Sequence, residues 1–337
     1  MESSLFSSIQ LPGFNIPGNI FLAPLAGYTD QAFREICRIY GASFTYTEMV
    51  SAEAIARGSK KTMKLMERAS GEEKLGIQLF LSEPDQIIRA LPGLLRFNPS
   101  LIDINCGCPV PKVIKNGAGA ALMRDPKQIG AIVKALTERT DIPVTVKIRS
   151  GWNASELTYL EAAESAVKSG ASMIAIHART RVQGYSGQAE WKHIENLSGA
   201  VPVPVIGSGD LFSPKDAHDM LTQTRCSGVM FARGAIGNPS IFRDTRRMLD
   251  QGSSESAGMP KDSAFQKLKI GLQHLELCTS YKGERLACRE MKKHLSAYTK
   301  GLPESSALRN NLMRCTSTGE YRSVLDEYLV KYPEGID

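Results

Sequence analysis

The sequence lacks the marks of several protein classes. No apolar run approaches the roughly 18 residues that a membrane span requires. The first residues, MESSLFSSIQLPGF, have no basic start followed by an apolar core, so no secretory signal is expected and the expected location is cytoplasmic. The seven cysteines are odd in number and dispersed, and none are spaced Cys-x-x-Cys. That excludes a disulfide framework and a zinc ribbon. His177 is far in sequence from the other histidines and the carboxylates do not cluster, so no metal site is expected. Strong charge is absent too: 41 Lys and Arg against 35 Asp and Glu give +6, and only the location of that excess is informative.

What remains is an ordinary globular composition over 337 residues, 42% hydrophobic and 23% charged. Short apolar runs recur up to about residue 235: IFLAPLA, ASFTYTEMV, LGIQLFL, LIDINCG, VTVKIRS, MIAIHART, VPVIGSG and GVMFAR. Continuous apolar runs of this length fit parallel strands buried on both faces. Helical stretches separate them, among them 30-DQAFREICRIYG-41 and 125-DPKQIGAIVKALTERT-140. Several open on Asp or Ser and others stop at Gly. Eight such units in this length fit a TIM barrel, with a doubly wound sheet as the alternative. The stretch 250-DQGSSESAGMPKDS-263 has linker composition, and the remainder has helical periodicity, with apolar positions at Leu268, Leu272, Leu275, Met291, Leu295 and Tyr298. The expected organisation is a barrel over 1–245, a linker over 246–263 and a helical domain over 264–337.

In a TIM barrel the working residues stand at the C-terminal ends of the strands. Here those are Gln78, Asn105 with Cys108, Lys147 with Arg149, His177 with Arg179, Ser208 with Asp210, and Arg233. Glycine-rich turns, 207-GSG-209 and 232-ARGAIG-237, follow the last two strands, the usual phosphate-binding place of this fold. Cys106 and Cys108 leave several readings open: packing, a redox pair, a metal, an acid or a nucleophile. Lys147 inside an apolar strand is hard to explain as structure, because an unpaired buried lysine is rare.

At this point the motifs carry a likeness. The strings 23-APLAGYTDQAFR-34, 105-NCGCPVPKV-113, 144-VTVKIRSGW-152, 177-HARTRVQGYSGQAEW-191, 206-IGSGDL-211 and 232-ARGAIGNPSIF-242 resemble those of the tRNA-dihydrouridine synthases, the bacterial B-type branch most of all. The tail 289-REMKKHLSAYTKGLP-303 resembles that family's helical domain. The resemblance implies a flavoenzyme that uses FMN and NADPH to reduce the C5–C6 bond of particular uridines in tRNA, with no membrane and no obligate protein partner. It implies that Pro24, Leu25, Ala26 and Gln78 lie along the flavin and that Lys147 and His177 contact it. Ser208, Gly209, Asp210, Ala232 and Arg233 would hold the phosphate end, Asn105 the uracil, and Cys108 would be the catalytic acid. Leu25 stands where Met is usual in the family, Cys106 where a larger apolar residue is common, and Ser208 where Asn is frequent. The last change puts one flavin hydrogen bond in question.

The chemistry suits these residue types. Hydride addition to uracil C6 leaves negative charge at C5 and O4, and a thiol that is protonated near neutral pH can deliver the proton. The substrate must leave its RNA stack, which calls for basic residues around an open mouth. Residues 282–314 carry eight Lys or Arg against three Glu, a local +5. Arg285, Arg289, Lys292 and Lys293 fall on one helical face, with His294 and Tyr298 as candidates to interleave with it. Arg149 and Arg179 are candidates for RNA or flavin contact, or for rim ion pairs. Two other classes compete: an FMN barrel enzyme acting on a small molecule, and an RNA-binding protein without activity. Cys106, on a strand position facing away from Asn105, is expected to be packing.

Overall fold

Residues 4–251 and 262–332 are described by a computed structural model. A small antiparallel hairpin, β1 (Ile9–Leu11) and β2 (Phe14–Ile16), precedes the main sheet. The sheet contains β3 (Ile20–Leu22), β4 (Val50–Ser51), β5 (Gly76–Phe80), β6 (Leu101–Cys106), β7 (Val144–Arg149), β8 (Met173–His177), β9 (Val205–Ser208) and β10 (Gly228–Phe231). All pairings within it are parallel, and β10 pairs back onto β3, the first strand. This is a TIM barrel.

Seven of the eight apolar runs become the strands the sequence predicts. The second run, ASFTYTEMV, does not form a ladder. It closes the barrel through bridges, Phe44 against Phe21 and Tyr46 against Gly76, and then pairs as β4. The reason is steric. The rings of Phe44 and Tyr46 turn inward and pack edge-to-face at 5.1 Å. A Cβ on Gly76 would stand 2.5 Å from the Tyr46 ring, so glycine is what admits it.

Strand alternation sorts the side chains into two layers. On β6, Ile102, Ile104 and Cys106 join the core shared with the surrounding helices, whereas Leu101 joins the apolar interior of the barrel. Asp103 and Asn105 share the face of Leu101. Thr145, Lys147 and Arg149 alternate in the same way with Val144, Val146 and Ile148 on β7. The lower interior is apolar (Phe21, Phe44, Tyr46, Met173, Ile206), and the upper interior is polar.

Beyond the barrel lie helices Ala264–Lys282, Glu284–Tyr298, Ser305–Arg314 and Thr318–Lys331. Leu268, Leu275, Met291, Leu295 and Tyr298 are buried as their spacing predicts, and Leu272 is partly buried. The helix Ile241–Gln251 continues past residue 245, so 246–251 are helical rather than linker; its apolar side, Phe242, Met248 and Leu249, is buried. The middle of the expected linker, 252–261, lies outside the described residues. The helical region is fastened to the barrel at Lys282, which donates to Asp30 and Glu290 at 2.5 Å each. Asp30 also caps the barrel helix Gln31–Ile39; burial pushes its carboxyl up, but the ammonium of Lys282 beside it, with His274 and the hydrogen bonds it accepts, outweighs that and leaves it below the ordinary range. Among the described residues no helix is long and apolar enough to cross a membrane.

Candidate active site

The C-terminal strand ends converge on a cavity of about 480 Å³. Its wall includes Pro24, Leu25, Ala26, Asn105, Cys108, Lys147, Arg149, His177, Ser208, Gly209, Asp210, Ala232 and Arg233. The barrel therefore brings together most of the residues singled out in the sequence. Among the described residues no cluster of three potential metal ligands exists.

Cys108 sits on the turn after β6. Its backbone N–H donates to Asn105 Oδ1 at 2.9 Å, and its carbonyl accepts from Ala120 N at 3.0 Å. Gly119 lies behind it with φ +63°, and a Cβ there would stand 2.8 Å from the Cys108 carbonyl oxygen. Of the seven cysteines, Cys108 alone is not buried. Burial still pushes its thiol up, against the pull of the Val110 N–H, Arg149 and Lys147, so it is protonated at neutral pH. Cys106 is fully buried on the opposite side of the strand, which answers the question of a pair: the two thiols face different ways.

Lys147 is half-buried in this wall, and its ammonium has no hydrogen-bond or carboxylate partner among the described residues. Burial, then Arg149, bring it down to about 8, with Asp103 opposing. His177 is driven well below its ordinary value by burial and by the cations Arg149, Lys147, Arg179 and Arg233, so it is neutral. Arg149 donates through Nε to Gly107 O at 2.7 Å and through Nη1 to Thr180 O at 3.0 Å and Gly184 O at 2.9 Å. It ties the Cys108 turn to the loop that presents Tyr185.

Five expectations change. Gln78 is fully buried beneath the cavity and does not line it; its amide joins Asp103 and Asn105. Arg179 was a candidate contact for RNA, but it is only 2% exposed. It is spent on Asp210 at 2.7 Å, Gly187 O at 2.6 Å and Ser186 O at 3.2 Å. Asp210, with φ +54°, lines the cavity but turns its carboxylate to Arg179 and to Ala189 N. The Ser208 hydroxyl donates to Met230 O at 2.9 Å, so its proton is not free for a ligand. His294 and Tyr298 do not interleave with the basic residues, because both are buried, with His294 against Phe33 and Tyr28.

The basic face itself is exposed at Arg285, Arg289 and Lys293, while Lys292 is half-buried and donates to Met313 O at 2.7 Å. Residues not singled out in the sequence also line the cavity, notably Tyr28, Met49, Tyr185 and Phe212. Tyr185 was legible only as part of the string HARTRVQGYSG. The Arg233 guanidinium lies 4.6 Å from the Tyr185 ring centre and 5.3 Å from that of Phe212, so it is held between the two.

The donor set fits a flavin mononucleotide. Apolar wall residues (Pro24, Leu25, Ala26, Met230) share the cavity with an unpaired ammonium at Lys147, and a partly exposed guanidinium at Arg233 stands by Asp210. Cavities of this volume hold ligands of that size.

A family model described as "Dihydrouridine synthase (Dus)" matches residues 21–332. A "Probable tRNA-dihydrouridine synthase" of Treponema pallidum is 42% identical over 334 residues, covering 96% of this chain and 97% of its own. A "Probable tRNA-dihydrouridine synthase 1" of Synechocystis is 36% identical, covering 95% of this chain and 88% of its own. A "tRNA-dihydrouridine synthase B" of Xanthomonas axonopodis is 33% identical, covering 95% of each chain.

Proposed function

Because this chain belongs to the dihydrouridine synthase family, an oxidoreductase family, we propose that it reduces the C5–C6 bond of uridines in tRNA, with FMN bound in the barrel and NADPH as electron donor. The observation that carries this reading is the pairing of the one unburied thiol, Cys108, with the unpartnered cation of Lys147 on the wall of one cavity.

Bound flavin mononucleotide supplies the hydride that adds to uracil C6. Pro24, Leu25 and Ala26 would hold its flat face, Lys147 and neutral His177 its polar edge, and Gly209, Ala232 and Arg233 its phosphate end. Cys108 holds a proton on Sγ and delivers it to C5. Its raised pKa keeps that proton on sulfur until the carbanion develops. Lys147 also stabilises the negative charge that the reaction places in the cavity. Asn105 and Arg149 fix the turn that carries Cys108, and both border the space a uracil would enter. The exposed Arg285, Arg289 and Lys293 would meet RNA phosphates. The barrel over 1–245 is read as catalytic and the region from 264 as the tRNA-binding domain.

The test is direct. The purified protein should be yellow, absorb in the flavin range, and form dihydrouridine in unmodified tRNA with NADPH but not in free uridine. Turnover of free uridine or orotate without tRNA would favour a small-molecule oxidoreductase. A colourless protein that binds tRNA and cannot be loaded with flavin would favour a binding role.

A further inference from the structure

A carboxyl group stands in the barrel interior with no place in the reaction described above. Asp103 is 2% exposed and lies one turn of the pleat below Asn105 on β6. Gln78 Nε2 donates to its Oδ2 at 2.7 Å, and Thr145 Oγ1 donates to its Oδ1 at 2.6 Å. Gln78 Oε1 accepts from Asn105 Nδ2 at 2.8 Å. Asn105 Oδ1 accepts from Gly107 N at 3.2 Å and from Cys108 N at 2.9 Å. The two ends of this chain are fixed by chemistry. The backbone N–H groups at Gly107 and Cys108 can only donate, and an ionised carboxylate can only accept. Each amide between them therefore has one orientation that satisfies both neighbours.

From this directionality we infer that Asp103 is a positioning residue, which through Gln78 and Asn105 holds the turn that carries the Cys108 thiol. The inference rests on the proposed role of Cys108, but the hydrogen-bond relay can be read without the reaction. Loss of the acceptor at 103 frees the Gln78 amide to turn over. Its carbonyl then no longer has to meet Asn105 Nδ2, and the Asn105 carbonyl no longer has to meet Cys108 N. Burying a carboxylate is costly unless it is hydrogen-bonded, and burial does raise this one, to about 6. The group is nonetheless ionised above that pH and is opposite in charge to Lys147. Thr145 provides the control, because it bonds the same carboxylate but lies outside the relay.

The experiment uses the flavin-loaded full chain and three variants: Asp103→Leu, Asp103→Asn and Thr145→Val. Because Cys108 is the one cysteine that is not buried, its rate of alkylation by iodoacetamide, followed by mass spectrometry of its peptide, reports the turn directly. Asp103→Leu is expected to change that rate at least threefold and to lower kcat on tRNA by about 20-fold or more. KM for tRNA should stay within about threefold. Asp103→Asn keeps an acceptor for Gln78 and should recover most of both. Thr145→Val should stay near wild type. If Asp103→Leu does not fold, Gln78→Leu breaks the same relay one link further on and must change the alkylation rate similarly. Wild-type alkylation and kcat in folded Asp103→Leu, or in Gln78→Leu, would overturn the inference. So would equal damage in Thr145→Val, which would make Asp103 a packing element. If the wild-type protein forms no dihydrouridine, the proposed function fails, while the alkylation comparison still decides the relay.

Discussion

Lys293 lies over the ring of Tyr28, 4.9 Å from its centre, and donates to the carbonyl of Gly27. Tyr28 is part of the cavity wall, so the basic face of the helix Glu284–Tyr298 reaches the mouth of the site. An RNA laid along Arg285, Arg289 and Lys293 would have its backbone beside the opening.

Charge reversal at Arg289 and Lys293 together should therefore weaken tRNA binding and flatten its salt dependence. Each lost phosphate contact removes roughly 0.7 to 0.9 from the slope of log K against log salt. A filter-binding series across salt concentrations measures it. An unchanged slope would make this an ordinary solvated face.

Cys108→Ala should retain bound flavin and tRNA affinity while losing most dihydrouridine formation, by about 100-fold or more. The pH profile carries further information. A thiol raised by burial stays protonated past its ordinary value of 9.0. The proton-delivery step should thus stay flat from pH 7 to about 9 in single-turnover assays. A fall beginning near pH 7 would point to a thiolate and remove the acid role.

Lys147 is charged below about 8 and neutral above it. Flavin affinity of the stripped protein should therefore decline as pH rises past 8, by up to about tenfold per unit. Lys147→Met should bind flavin more weakly, with no such pH dependence and with a lower flavin reduction potential. Fluorescence titration of the cofactor at pH 7 and pH 9 checks both proteins. Equal pH dependence in the two would move the effect to another group.

Asp103 leaves its signature in stability. Its carboxyl is raised from 3.8 to about 6, so between those values the folded protein holds a proton that the unfolded chain has released. Stability falls as pH rises through that window and stays lower above it. Roughly two units correspond to about 3 kcal/mol at most. Asp103→Asn removes this dependence, so its thermal midpoint should exceed wild type at pH 8 and match it near pH 4. A lower midpoint at pH 8 would mean that the carboxylate is net stabilising.

The sequence made much of this legible because period-two alternation is a strong signal. Lys147 and Arg149, two apart on an apolar run, had to share a face, and the barrel turns that face inward. Cys106 and Asn105, adjacent, had to part. What alternation does not reveal is depth. Gln78 belongs to the same inward set as Lys147, yet it lies under the cavity because Asp103 and Asn105 bind both ends of its amide. Arg179 looked like a rim cation, but Asp210, distant in sequence, draws it inside. His294 shares a helix with Arg289 and Lys293, and only the packing of Phe33 and Tyr28 shows that it faces the barrel.

The closing of the barrel at its second run has its own consequence. At Phe44 and Tyr46 the hoop is joined by bridges rather than a full ladder. Four backbone hydrogen bonds cross it there: Ser43 N to Ile20 O, Leu22 N to Phe44 O, Gly76 N to Thr45 O and Thr47 N to Gly76 O. Bridges hold this seam where a ladder holds β6 and β7, and amide protons along it should exchange with solvent before those of β6 and β7. Behind the seam the rings of Phe21, Phe44 and Tyr46 pack against one another, so opening it also parts an aromatic cluster.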